Sequence, residues 1–115
     1  MNPSNYKALI LPTQEELQVV KIRKITHLTA ERNYTWFYLN DSEKLFICKT
    51  LQSFESVLTD GKLPFFRTHA SHIVNYHFIK RYLRGDGGEI VLLDGTRIPV
   101  ARRRKEAFLE WLKAY

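Results

Sequence analysis

The sequence predicts an all-β fold, mainly antiparallel, with one short internal helix and a second helix at the C-terminal end. Three observations lead there: β-branched and aromatic residues come in short runs, turn residues part those runs at short intervals, and only two stretches show the helical period.

Residues 8–11 form an apolar run that ends at Pro12, and residues 17–22 alternate before passing into Arg23, Lys24 and Ile25. Residues 27–31 lead through the polar pair Arg32 and Asn33 into residues 34–39, where Tyr34, Trp36, Phe37 and Tyr38 suit a pleated surface. The turn cluster Asn40, Asp41 and Ser42 sends residues 44–49 back antiparallel. The period then changes. Leu51, Phe54, Val57 and Leu58 recur on one helical face, with Thr50 as the N-cap and Asp60 and Gly61 as the stop. Strands return at residues 65–68, 71–75, 79–83, 89–93 and 97–100, the last three separated by the turn residues 84–88 and by Asp94 and Gly95. Phe108, Trp111, Leu112 and Tyr115 recur at helical spacing, so the final segment is a helix with Arg102, Arg103, Arg104 and Lys105 in its first turn. Four cations oppose the positive end of a helix dipole, a departure that suggests a partner's negative charge there.

With 115 residues the chain has the length of one domain, residues 1–115 around a single core. A content of 44% hydrophobic and 26% charged residues excludes disorder as the main state. No apolar run exceeds four residues, so no membrane span or secretory signal is expected and a cytoplasmic location follows. The lone Cys48 agrees, since one thiol cannot form an internal disulfide. Charge is distributed unevenly. Up to Asp60 seven basic residues balance seven acidic ones, whereas from Gly61 onward eleven basic residues face five acidic ones, so the whole net charge of +6 lies in the second half. A concentrated basic field points to a polyanionic partner.

Catalysis finds little support. His69 and His72 have a spacing that would bind a metal on a helix, but the strand spacing is expected to put them on opposite sides, so no metal or cofactor is expected. Cys48 falls in an apolar run, where a small buried thiol is the usual occupant. Gly85, Gly87 and Gly88 precede a strand rather than a Lys-Ser/Thr pair and a helix, so they read as a hairpin turn and not a phosphate loop. Nucleic-acid contact fits better. Arg102, Arg103, Arg104 and Lys105 follow a strand stiffened by Pro99, and Arg67, His69, Ser71 and His72 add donors. Two other readings use different chemistry: a single-strand binder stacking bases on Tyr34, Trp36, Phe37 and Tyr38, and a protein-interaction module pairing through an exposed edge strand.

The block from Phe65 through Arg67, His69, Ser71, Val74 and Asn75, followed by Pro99, Val100, Arg102 and Arg103, resembles the LytTR family, the DNA-binding output domains of many bacterial response regulators. Upstream, Asn33, Tyr34 and Thr35 and the segment Lys49 to Glu55 extend the similarity over about residues 22–112. The resemblance implies an elongated antiparallel β fold whose loops enter successive major grooves, with an arginine in the minor groove between them. By position it puts Arg32, Asn33 and Tyr34 in a first reading loop, His69, Ala70 and Ser71 in a second, and Arg102, Arg103 and Arg104 in a third. Arg67 and Asn75 belong to the motif, with Asn75 closing a strand. It also implies double-stranded DNA with direct-repeat half-sites, a second copy of the domain on the DNA, and a receiver domain in a full-length regulator. Two positions depart from the family: Ala70 can offer a base only contact with a thymine methyl, and Ala101 cannot cap the last helix, a loss of roughly 1 kcal/mol.

Overall fold

A computed structural model describes residues 7–114, so Tyr115, the last position of the expected helical stripe, lies outside the described residues. The chain folds as ten strands and two helices: β1 Ala8–Pro12, β2 Leu17–Lys21, β3 Ile25–Glu31, β4 Tyr34–Leu39, β5 Lys44–Ile47, α1 Leu51–Leu58, β6 Phe65–His69, β7 His72–Asn75, β8 Ile79–Leu83, β9 Glu89–Leu92, β10 Arg97–Pro99 and α2 Lys105–Ala114. Short 3-10 turns stand at Ile22–Lys24, Tyr76–Phe78 and Arg102–Arg104.

All strand pairs are antiparallel, in a hairpin β1-β2, a five-stranded sheet β5-β4-β3-β7-β6 and a three-stranded sheet β10-β9-β8. The five-stranded sheet is the middle layer. Ile73 and Val74 are neighbours in β7 and both fully buried, yet they belong to different hydrophobic clusters. Successive side chains in a strand point to opposite faces, so this sheet is apolar on both. On one face Leu28, Phe37 and Ile47 meet Leu11 and Val20 of the hairpin and Leu51, Phe54 and Leu58 of α1. On the other, Val74 and Phe66 meet Ile90, Leu92 and Ile98 of the three-stranded sheet and Phe108 of α2.

Helix α1 starts as its sequence requires, with the Thr50 hydroxyl accepting from the Ser53 amide at 3.3 Å. Val57, expected on its apolar face, is 47% exposed, because it lies at the margin of the arc centred on Leu51, Phe54 and Leu58. Asn75 is structural: its amide donates to the Ile25 carbonyl at 2.8 Å and its oxygen accepts from the His77 amide at 3.0 Å. Cys48 is exposed, a correction to the expected buried thiol. The strand stops at Ile47, and the Cys48 amide turns to the Pro12 carbonyl at 3.0 Å.

Candidate nucleic-acid interface

Three segments rich in donors end at the same side of the middle sheet. The first is the β3-β4 turn. Glu31 pairs with Tyr34, leaving Arg32 and Asn33 as the turn, and Arg32 adopts φ +55°, a left-handed conformation that favours glycine. Arg32, Asn33 and Tyr34 are all exposed. The Tyr34 ring lies on Phe46 at 4.9 Å between centroids, and Trp36 lies on the same phenylalanine at 4.6 Å.

The second is the β6-β7 turn, Ala70 and Ser71. A register shift between Arg67 and His69 bends β6 just before it, and Arg67 then holds the turn from behind. One terminal nitrogen of its guanidinium donates to Gln52 Oε1 and Glu55 Oε2, both at 2.8 Å, while the other reaches the Ala70 carbonyl at 2.6 Å. Its Nε donates to the His69 carbonyl at 3.3 Å. With a side chain only 12% exposed, Arg67 ties α1 to the turn. At the tip, the Ser71 amide donates to His69 Nδ1 at 3.1 Å, so the neutral ring carries its proton on Nε2. The expectation that His69 and His72 lie on opposite sides is corrected. A two-residue turn separates them, so they face each other across the hairpin with ring centroids 5.6 Å apart. Among the described residues no group of three or more His, Cys, Asp or Glu is placed to hold a metal.

The third segment is Arg102–Arg104, which forms a 3-10 turn of its own, with α2 beginning only at Lys105. Three of the four cations therefore precede the α-helix, and Glu106 supplies the acidic residue its first turn favours. Ala101 makes no side-chain cap. Arg102 and Arg103 are exposed, whereas Arg104 leans on β6 through one long bond to the Arg67 carbonyl at 3.4 Å and leaves its Nε buried without a partner. Behind the turn, a Cβ added to Gly87 would come within 1.9 Å of the Val100 carbonyl oxygen, so only glycine lets the loop of residues 84–88 close against it.

Two backbone hydrogen bonds join the three segments. The Ala30 amide donates to the Ser71 carbonyl at 2.8 Å, and the Ala101 amide donates to the Thr68 carbonyl at 2.7 Å. Ion pairs among the described residues are Arg67–Glu55 and Arg97–Glu89, so Arg32, Arg102 and Arg103 keep their charge unpaired there.

Beside this end, His27 and His72 line a cleft between the five-stranded and three-stranded sheets. Burial lowers His27 to a pKa of about 4, with Asp94 raising it and His72 lowering it by lesser amounts. Burial, then the charge of His69, lowers His72 to about 4 as well. Both rings are neutral near pH 7.

Sequence reasoning assigned no role to Gln52 and Glu55, whose signal was their i, i+3 spacing on the exposed side of a helix. Phe37, offered as a stacking surface, is fully buried, and Tyr38 stacks on His27 at 4.2 Å.

Antiparallel hairpin tips and an arginine turn gathered at one sheet end define a β domain of the nucleic-acid-binding class. A family model described as the LytTr DNA-binding domain matches residues 15–113, and the chain belongs to that family. It is similar to a solved structure, the LytTr DNA-binding domain of a putative methyl-accepting/DNA response regulator from Bacillus cereus. That match has 26% identity and a TM-score of 0.77, covering 91% of this chain and 95% of that one. No curated protein matches. No helix among the described residues is long and apolar enough to cross a membrane.

Proposed function

We propose that this DNA-binding domain reads double-stranded DNA in a sequence-specific way, as the output domain of a transcriptional response regulator. The observation that carries the reading is the pair of backbone bonds from Ala30 to Ser71 and from Ala101 to Thr68, which holds three donor-bearing segments at one sheet end. Exposed Arg102 and Arg103 suit bidentate contact with guanine edges or phosphates, Asn33 suits adenine, and His69 offers its Nε2 proton to an acceptor. Ala70 and Ser71 complete the second tip, and Arg104 can turn outward by giving up one long bond. Arg67 acts as the strut of that tip, since its donors are largely spent on the protein.

The single-strand reading loses support because Phe37 is fully buried and Tyr38 is stacked on His27, which leaves Tyr34 as the exposed ring of the four. Two copies are expected on direct-repeat half-sites, since one module of this size rarely reaches genomic specificity alone. Selection from random duplexes, followed by titration at several salt concentrations, tests the reading. The affinity for the selected duplex falls with a log-log slope of about −0.9 per phosphate contacted. Inserting half a helical turn, about five base pairs, between half-sites abolishes joint occupancy and a full turn restores it. Equal binding to single strands, or no dependence on salt, rejects it.

A further inference from the structure

The loop of residues 84–88 is more than a hairpin turn. It is fastened to the residues flanking the arginine turn at two points, the Val100 amide donating to the Gly88 carbonyl at 3.1 Å and Lys105 Nζ donating to the Gly85 carbonyl at 2.9 Å, while the Tyr82 hydroxyl of β8 donates to the Gly87 carbonyl and braces the loop from its own strand. Gly87 is also pressed on Val100, so the loop packs directly against the strand end that leads into the turn. Between loop and turn lies an open concavity of about 560 Å³, lined by Asp86, Arg102, Arg103, Lys105 and Glu106. Arg84 is exposed at the root of the loop and makes no ion pair among the described residues. Asp86, also exposed, is the one carboxylate the loop carries into this basic concavity.

We propose that this loop makes a fourth contact with the nucleic acid, in which Arg84 neutralises a backbone phosphate on the flank of the arginine turn while Asp86 weakens that grip. The inference rests on the duplex-binding reading above. Asp86 of the loop lines the same concavity as Arg102 and Arg103, so a polyanion seated on those arginines passes close to the loop, where the unpaired guanidinium at its root can displace a condensed counterion. The carboxylate repels phosphate whatever the sequence, so it lowers the affinity for random DNA and leaves the base-reading contacts to decide where the domain stays.

A mixed-sequence duplex of about two helical turns is the probe, because a phosphate contact needs no operator. Arg84→Gln lowers affinity for it at low salt by about three- to tenfold and reduces the magnitude of the log-log salt slope by about 0.9. Asp86→Asn raises affinity by about two- to fivefold. Lys80→Gln removes the same charge at the far end of β8, roughly 13 Å along the strand, and leaves the slope unchanged. Thermal melts show each variant folded. An unchanged slope in Arg84→Gln overturns the phosphate contact, as does an equal loss in Lys80→Gln, and an unchanged or lower affinity in Asp86→Asn overturns the role given to the carboxylate. If Arg102→Gln weakens binding while Arg84→Gln does not, only the fourth contact fails. If the parent domain does not bind the duplex, both readings fail.

Discussion

Replacing Arg67 by glutamine should separate a strut from a DNA contact. The guanidinium holds Gln52 and Glu55 of α1 and the carbonyls of His69 and Ala70 of the second tip, with the Arg67 and Glu55 side chains 12% and 27% exposed. Removing one partner of a fully buried pair costs about 3–5 kcal/mol. Here both groups keep some water and glutamine can replace one bond, so the expected loss is about 2–3 kcal/mol. Urea denaturation of the parent and the variant measures it directly. Arg67→Lys keeps the charge but cannot fork, and should lose about half as much. In a double-mutant cycle with Glu55→Gln, the coupling should reach about 1–2 kcal/mol. Duplex affinity should fall by about tenfold because the tip at His69, Ala70 and Ser71 loses its support, yet the salt slope should stay at the parent value, since no phosphate contact is removed. A variant as stable as the parent whose slope drops by about 0.9 would refute the strut and make Arg67 a phosphate ligand.

Three further outcomes follow from the geometry. Arg32→Gly relieves a left-handed backbone at φ +55°, so it should raise stability by up to about 1 kcal/mol while weakening duplex binding; a lower melting temperature would contradict this. His27 is held neutral by burial, with a folded pKa of about 4 against 6.5, so its contribution is complete above pH 6.5 and is lost as pH falls toward 4, up to about 3 kcal/mol. Urea midpoints followed from neutral pH to acid should show that decline, with His72 adding in the same direction, and His27→Gln should flatten it. Gly87→Ala drives a Cβ into the Val100 carbonyl and should cost about 2 kcal/mol or more while displacing the arginine turn; a melting temperature within about one degree of the parent would show that the loop yields freely.

Strand order in time was legible because alternation is a local property: Thr35, Phe37 and Leu39 are buried and Trp36 and Tyr38 half-buried, as a period of two requires. The cap at Thr50 was equally local. What alternation cannot say is which strand lies beside which. Read along one run His69 and His72 face apart, and only the two-residue turn folds them together. Arg67 looked like part of a basic surface because its partner Glu55 stands twelve residues away in another element. The exposure of Cys48 depends on where β5 stops, a boundary set by the β1-β2 hairpin and not by the residues around the thiol.

The first two tips belong to hairpins of one sheet, in the order β4-β3-β7-β6, which makes the domain a ruler with fixed graduations. Neighbouring strands sit about 4.8 Å apart, so the two tips lie about 10 Å apart across the sheet, and no substitution at a tip can alter that distance. A one-residue slip would exchange the two faces of a strand and expose an apolar row from one core or the other. Paralogues can therefore diverge by changing the letters offered at Arg32, Asn33 and Ala70, or by lengthening a turn to deepen its reach, while the gauge between the letters is inherited unchanged.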